Sequence, residues 1–335
     1  MKRVLATALV IVALAAVASG AWYFLLHPTS YPGTPESVTI GIPPNEQSTL
    51  ILVAEDQRFF AKNGVNATVK LYETALAALE GMKVGEVDIA ETAEFPIVRQ
   101  AFNKERISVI ASIDKFDHVQ LVARKDRGIA NVSDLKGKKI GAARGTLTEF
   151  YLSRFLTLHG IGLQDVTIVN MAFTQSADAL ANGSVDAFQV QGKDVPPIRG
   201  KLDGSVLAIW PSQSGQTGFE VISGTRDWVA GHPETIKRLL KSLDQAAEYY
   251  MSHTAEAMAM VQKRLDYSEA YMATLPPQHQ YSLTLDQSLI LAMEDEARWM
   301  IRNNLTSEKQ VPNFLDYVHT DGLEAVKPGA VNIIR

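Results

Sequence analysis

From residue 37 to residue 190 the chain alternates short apolar strands with short helices, and this rhythm restricts the folds that it can adopt. Strands are predicted at residues 38–42, 67–72, 87–90, 107–113 and 118–124, with helices at 49–62, 75–82 and 95–102. The rhythm then repeats, with strands at 139–143, 166–170 and 185–190 and helices at 147–158 and 176–181. Such alternation is typical of open, largely parallel sheets covered by helices, so the predicted class is α/β.

Two stretches share a local pattern, which favours two lobes of similar build. In residues 78–89 and 177–188 a short helix ends at a glycine, and Val-Asp then enters an apolar strand. Two similar lobes with a crevice between their strand ends explain this repeat. Chance similarity is the alternative, because βαβ units share helix-stop chemistry. Helices predicted at 233–252, 255–265 and 285–303 are expected to pack on one lobe.

The N-terminus has the pattern of an export segment. Lys2 and Arg3 precede the uncharged, mostly apolar stretch 4–26, which directs the following chain out of the cytoplasm. Small residues at 16–20 offer a cleavage site, whereas the full stretch is long enough to span a bilayer. Residues 1–27 are therefore predicted to be a signal peptide or a membrane anchor, and 28–36 a tether. Either way, the folded part is expected on the periplasmic or extracellular face of the cytoplasmic membrane.

Composition and motifs exclude several classes of function. The net charge is −5 and the chain has no long basic run, so nucleic acid is not expected as a partner. The absence of cysteine excludes disulfides, thiolate nucleophiles and thiolate zinc sites. His118, His159 and His279 are scattered, with no H-x-x-x-H pair, so neither a metal site nor a cofactor is predicted. No nucleophile elbow or phosphate-binding loop is present, and an enzyme is not predicted; a hydrolase with paired carboxyl groups is the weaker alternative.

The stretch 138–149 is the strongest local indication of ligand binding. A short strand is followed by Gly145, and a helix then begins at Thr146. Strand, glycine and helix start together place unpaired backbone N–H groups at the carboxyl edge of a sheet. The alternative is that Thr146 and Glu149 form a capping box, which needs no ligand.

Four motifs in a fixed order resemble a known family. Residues 54–65 read Ala-Glu-Asp-Gln-Arg-Phe-Phe-Ala-Lys-Asn-Gly-Val, and they are followed by Gly-Glu-Val-Asp at 85–88, Asp-Leu-Lys-Gly-Lys-Lys-Ile at 134–140 and Gly-Ser-Val-Asp-Ala at 183–187. Together they resemble the extracytoplasmic solute-binding proteins of ABC importers, of the nitrate/sulfonate/taurine type, a group that includes binders of thiamine-pyrimidine precursors. The resemblance covers residues 38–210. Each motif alone is weak, but four in register are specific.

The resemblance implies a type II-like periplasmic-binding-protein fold, with two open α/β lobes joined by two crossover strands near residues 119–124 and 218–223. Lobe one would comprise residues 37–118 and lobe two 119–217, and residues 218–335 would return to lobe one and add the C-terminal helices. It implies a substrate-binding component that captures a small polar organic solute, either sulfonate-, taurine- or nitrate-like or amine- or pyrimidine-like, for an ABC permease. A monomer is expected. A membrane-tethered sensor domain with the same fold is the alternative function.

The strand ends of both lobes are expected to supply the ligand contacts. The predicted residues are Pro43, Pro44, Gln47, Thr92, Ala93, Glu94, Phe95, Asp114 and Phe116 in lobe one, Gly145, Thr146, Thr148, Gln189, Gln191 and Asp194 in lobe two, and Phe219 and Glu220 near the return. Alternatively, the two phenylalanines of lobe one are core residues, and the two glutamines only the polar face of a strand.

Acidic residues near the predicted site bear on the chemistry of the solute. Glu91 and Glu94 flank the lobe-one loop, and Glu149 lies one turn into the lobe-two helix. A carboxylate 4 Å from a bound anion repels it by about 4 kcal/mol at an effective dielectric constant of 20. The pocket is therefore expected to favour a zwitterion such as an amino-sulfonate, or a neutral or cationic amine or pyrimidine.

Overall fold

The computed structural model describes residues 31–334, and its strands form two sheets. The predicted export segment at residues 4–26 lies outside these described residues. Within residues 31–334 no helix is both long and apolar enough to cross a membrane.

The strands of both sheets are short, and most of their residues are buried. In chain order they are β1 (Glu36–Ile42), β2 (Val65–Leu71), β3 (Ile89–Ala93), β4 (Ile107–Phe116), β5 (Gln120–Arg124), β6 (Lys139–Ala142), β7 (Thr167–Asn170), β8 (Ala187–Val190), β9 (Leu207–Pro211), β10 (Gly218–Thr225) and β11 (His279–Thr284). The first sheet has the order β11-β4-β10-β3-β1-β2, and the second β7-β6-β8-β5-β9. The β1–β2, β1–β3, β6–β7 and β6–β8 pairs are parallel, as the alternation of strand and helix predicts.

Helices cover these sheets. They are α1 (Thr49–Asp56), α2 (Phe59–Lys62), α3 (Ala75–Lys83), α4 (Glu94–Phe102), α5 (Leu147–Leu158), α6 (Ser176–Asn182), α7 (Val195–Lys201), α8 (Arg226–Gly231), α9 (Pro233–Ser252), α10 (Thr254–Leu265), α11 (Glu269–Met272), α12 (Gln287–Arg302) and α13 (Asp321–Val326). The long C-terminal helices α9 and α12 add their apolar faces to the core of the first sheet. The predicted C-terminal helical layer is therefore present on the first sheet.

The predicted helix at 49–62 is two helices, α1 and α2. Arg58 between them has a φ of 58°, in the left-handed region. A left-handed residue cannot continue a right-handed helix, so the chain turns there and α2 begins in a new direction. Neither glycine nor proline marks this break in the sequence.

The chain passes between the sheets twice, at residues 117–119 after β4 and at residues 212–217 before β10. The crossover strands predicted at 119–124 and 218–223 are placed one element too late. These residues form β5 and β10, each of which pairs on both sides within one sheet. The predicted domain boundaries at residues 118 and 218 stay predictions.

The two halves of the molecule are packed against each other near the start of α5. Leu147, Phe150 and Tyr151 of α5 belong to the apolar core of the first sheet, although α5 also packs on the second. Phe150 meets Trp299 of α12 edge to face, with 5.6 Å between ring centroids. Arg99 Nη1 of α4 donates to the carbonyl of Gly145 at 3.0 Å. These contacts close the seam between the two sheets.

Candidate functional site

Five buried carboxyl groups meet where strands of the first sheet end at this seam. We call this set the acid cluster; its members are Glu46, Glu91, Glu94, Asp114 and Glu220, each at most 1% exposed. The sheet explains their proximity, because β10 runs antiparallel between β3 and β4 and Glu220 pairs with Ala93 on one side and Asp114 on the other. Glu46 lies in the loop after β1, and Glu94 begins α4.

Three members of the acid cluster, Glu91, Glu94 and Glu220, receive few hydrogen bonds from their neighbours. Ser48 Oγ donates to Glu91 Oε1 at 2.8 Å, and Gln47 Nε2 donates to Glu220 Oε2 at 3.2 Å. Among the described residues, no donor makes a well-aligned hydrogen bond to Glu91 Oε2, Glu220 Oε1 or either side-chain oxygen of Glu94, although Glu296 lies close enough to Glu94 for the two carboxyl groups to share a proton. Buried oxygens without a donor are costly, so this cluster is suited to a molecule that supplies N–H or O–H groups.

Burial and mutual repulsion keep three of these carboxyl groups, those of Glu91, Glu94 and Glu220, from ionising. Burial raises the pKa of Glu91 and the pKa of Glu94 to about 8. Burial, followed by the neighbouring Glu91 and Asp114, raises the pKa of Glu220 well above its usual range. Close to neutral pH these three groups therefore favour the protonated form. A bound cation would favour their ionised forms instead.

Two histidines far apart in the sequence lie side by side next to this cluster. His118 Nδ1 lies 3.3 Å from His279 Nε2, and His279 Nδ1 lies 2.6 Å from Asp114 Oδ2. Burial and the neighbouring His279 lower the pKa of His118 to about 3. Burial opposes the charged form of His279, but Asp114 outweighs it and raises the pKa of His279.

Glu46 lies beside the two histidines, and the three side chains are potential ligands for a metal ion. Its two side-chain oxygens accept hydrogen bonds from the hydroxyls of Tyr267 and Tyr271, each at 2.8 Å. Burial opposes ionisation of Glu46, but His118, His279 and a lysine together lower its pKa to about 2. Glu46, His118 and His279 offer ligand atoms that all lie within 4.8 Å of one another. The sequence treats these histidines as scattered, whereas the pairing of β4 with β11 brings His118 and His279 together; the expectation of no metal site stays a prediction.

Helix α5 and the connection before β10 contribute an aromatic and an amide side chain. Tyr151 of α5 is fully buried, and no partner reaches its hydroxyl among the described residues. Burial, then Glu94 and Glu296 of α12, raises the pKa of Tyr151. Gln213 holds the two inter-sheet connections together, because its Oε1 accepts from the backbone N–H groups of His118 and Val119 and its Nε2 donates to the carbonyl of Phe116.

The start of α5 is satisfied partly by its own side chains. The backbone N–H of Gly145 donates to Glu149 Oε2 at 2.7 Å. Thr146 Oγ1 donates to the carbonyl of Ala143 at 2.7 Å and lies 2.7 Å from Thr148 Oγ1. The predicted capping box differs from this arrangement. Glu149 accepts from the backbone N–H of Gly145 rather than that of Thr146, and the side chain of Thr146 accepts no backbone N–H of the first helical turn. One N–H group expected to face a ligand is thus already paired.

Other predicted residues of the first sheet divide between the site and the core. Phe116 stacks on His118 with 4.7 Å between ring centroids, and it also belongs to the apolar core of the first sheet, as the alternative proposed. Phe95 is buried edge to face against Trp299 and is a core residue, as the alternative proposed. Phe219 is buried in the same core. Of the remaining four, Pro43 is buried and Pro44 is exposed. The buried hydroxyl of Thr92 has no partner among the described residues. Ala93 directly precedes α4.

The predicted residues of β8 and its following loop lie at the second sheet. Gln189 is fully buried, and its Nε2 donates to Ser212 Oγ in the return connection at 2.8 Å. Its Oε1 has no partner among the residues described. Asp194 Oδ2 accepts the backbone N–H of Gln191 at 3.1 Å, and burial raises the pKa of Asp194 to about 6. The ligand-binding role of every predicted residue stays a prediction.

Sequence reasoning missed Glu46, His118, Gln213, His279 and Glu296. Glu46 and His118 adjoin predicted site residues, so a wider window around each strand end would have included them. The other three carry no local signal, because their place in the site depends on pairing between distant parts of the chain.

A groove of about 420 Å³ lies next to the segment that carries His279, although neither histidine is among its lining residues. Gln120 and Gly192 line it from the second sheet, and Tyr271 and Gln278 line it from the first-sheet side. A second groove, of about 310 Å³, lies on the outer surface between α4 and residues 308–317, away from the acid cluster.

Comparison with known proteins gives a consistent result. The family described as "NMT1/THI5 like" matches residues 45–257. A Brucella abortus protein named as a binding protein is 23% identical over 232 residues, which span 68% of this chain and 70% of that protein. The taurine-binding periplasmic protein of Escherichia coli is 26% identical over 205 residues, or 60% of this chain and 63% of that one.

The fold is also that of a solved binding protein. The periplasmic aliphatic sulphonate binding protein SsuA from Escherichia coli superposes with a TM-score of 0.73 and 16% sequence identity, over 85% of this chain and 97% of that one. The predicted bilobed α/β periplasmic-binding-protein fold is confirmed.

Proposed function

The chain belongs to the NMT1/THI5-like family, and we propose that it is the substrate-binding component of an ABC importer. In this proposal it works on the outer side of the cytoplasmic membrane, where it captures a small polar organic solute between its two sheets and delivers it to a permease. The observation that carries the proposal is the acid cluster, buried at the seam between two packed halves and short of hydrogen-bond donors. Fold and relatives are those of binding proteins.

We further propose that the solute carries N–H groups. The unpaired oxygens of Glu91, Glu94 and Glu220 accept hydrogen bonds, and in their ionised form they attract a cation. A simple alkanesulfonate or nitrate supplies no N–H donor to these oxygens, and the ionised carboxylate of Glu46 in the same cluster repels its negative charge. An amine, an aminopyrimidine or an amino-sulfonate zwitterion supplies the missing donors.

A thermal-shift screen tests this proposal with amines, aminopyrimidines, amino-sulfonates, alkanesulfonates and nitrate. A true ligand at 100 times its dissociation constant adds about 2.7 kcal/mol to the free energy of unfolding, which is readily seen as a higher melting temperature. Glu220→Gln should remove most of that shift, whereas Glu248→Gln on the exposed face of α9 should keep it. If no N–H-bearing solute stabilises the protein, or if Glu220→Gln binds as the parent does, the proposed site is wrong.

We also propose that binding leaves the solute unaltered. The chain has no cysteine nucleophile, and the buried carboxyl groups of Glu91 and Glu220 favour the protonated form close to neutral pH. Mass spectrometry of the solute recovered after long incubation should show the starting compound alone. Stoichiometric or greater conversion to a product would favour the hydrolase alternative.

A further inference from the structure

We propose that Glu46, His118 and His279 bind one divalent transition-metal ion of the zinc type. The three side chains come from the loop after β1, the connection after β4 and the start of β11, and each is at most 8% exposed. Their ligand atoms lie within 4.8 Å of one another. Imidazole nitrogen and carboxylate oxygen together are a donor set that zinc and its neighbours in the first transition row accept.

The spacing of the two histidines fits a shared ion. His118 Nδ1 and His279 Nε2 are 3.3 Å apart. Two nitrogens bound to one tetrahedral zinc ion at about 2.05 Å lie about 3.3 Å from each other. A direct N–H···N hydrogen bond also fits this distance, and the experiment below separates the two.

Neighbouring groups orient both kinds of ligand. Asp114 Oδ2 lies 2.6 Å from His279 Nδ1, which leaves Nε2 of that ring as the atom that faces His118. A carboxylate behind a metal-binding histidine is a recurrent support that fixes the tautomer and the ring orientation. The hydroxyls of Tyr267 and Tyr271 hold the two oxygens of Glu46, and each oxygen keeps a second lone pair for an ion.

The groove of about 420 Å³ offers a route to this position. Tyr271, which binds Glu46, and Gly192 line the groove. A Cβ atom at Gly192 would lie 3.6 Å from the backbone oxygen of His118, so the groove wall touches the histidine segment directly. The positive charge of Lys193 acts on both His118 and Glu46, and it disfavours a bound cation. The carboxyl groups of Glu46, Asp114 and Asp194 offset that charge.

Titration of the chelator-treated full chain with Co²⁺ tests the proposal, because cobalt in a four- or five-coordinate nitrogen–oxygen site gives intense visible absorption. We expect one equivalent to bind, and Zn²⁺ to displace it. His118→Gln and His279→Gln should abolish the absorption, and Asp114→Asn should weaken binding about 10- to 100-fold. His159→Gln is the matched control, because that histidine is exposed and lies on α5's C-terminal cap, outside the cluster.

Circular dichroism would show whether each buried variant still folds. Glu46→Gln gives an independent test, since its amide oxygen can still accept from a tyrosine hydroxyl but carries no charge for a cation. The proposal fails if the parent binds no stoichiometric Co²⁺, or if folded His118→Gln and Glu46→Gln bind it as tightly as the parent. The histidine contact is then an ordinary hydrogen bond. Solute binding by the metal-free chain is measured separately, so its outcome does not depend on this one.

Discussion

At the scale of single residues, Glu94 of the acid cluster pairs with a further buried carboxyl group, that of Glu296. Glu94 and Glu296 come from α4 and α12, and both are fully buried opposite Tyr151 of α5. Burial raises the pKa of Glu94 to about 8. Burial, and then the repulsion from Glu94, raises the pKa of Glu296 well above its usual range. Two neutral acids can lie against a tyrosine and an apolar core, whereas two carboxylates would repel each other there.

This pair predicts a pH dependence of stability. Both groups have folded-state pKa values above 4.5, their ordinary value. Their contribution is therefore fully present below pH 4.5 and is lost as the pH rises towards about 8, because only the unfolded chain ionises freely in that window. Glu296→Gln should melt at a higher temperature than the parent at pH 8 and show a flatter profile from pH 5 to 8. A profile as steep as that of the exposed control Glu248→Gln would contradict the assignment.

At the scale of elements, the sequence predicted well wherever local pattern and tertiary structure agree. The helix predicted at 147–158 is α5 residue for residue, and the one at 233–252 is α9. The strand predicted at 87–90 ends before β3 does, because Glu91 is a poor strand residue on propensity, yet pairing with β10 holds Glu91 and the two residues after it in the ladder. β9 and β11 were missed, since each is a short edge strand that is defined by its partner.

The start of α5 gives a prediction at this scale. Gly145 has a φ of 73°, and a Cβ atom there would lie 3.2 Å from Arg99 Nη1. Gly145→Val should therefore lower the free energy of unfolding by ~1–2 kcal/mol through backbone strain. If a solute approaches this backbone, the folded variant should also fail to bind it in calorimetry. Binding as tight as in the parent would show that the start of α5 only caps a helix, and the pocket would then lie at Thr92–Phe95 and Gln189–Asp194 alone.

At the scale of the whole molecule, two sheets joined by two short connections form a hinge around a closed seam. Phe150 against Trp299 and Arg99 against Gly145 hold the seam shut, while Gln213 ties the connections together. The fold class and the two-lobed plan follow from local rhythm and from the family resemblance. The composition of the acid cluster and the histidine pair does not, because 161 positions separate His118 from His279 and only the pairing of β4 with β11 brings them together.

Hinge closure makes a prediction for small-angle scattering. The contacts across the seam are few, so the solute-free protein should populate open forms in which the two halves separate. Addition of the solute identified by thermal shift should reduce the radius of gyration. A radius that stays constant under saturating solute would count against closure as the capture mechanism.

Calorimetric binding of matched solutes tests the central claim most directly. Taurine and isethionate share a sulfonate and differ in an ammonium against a hydroxyl, and an aminopyrimidine differs from the parent pyrimidine in its N–H donors alone. If the acid cluster recognises N–H groups, the member that carries N–H groups should bind at least tenfold more tightly than its partner in at least one of these pairs. Glu220→Gln should abolish that preference. Ethanesulfonate or nitrate binding more tightly than every N–H-bearing solute would contradict the account.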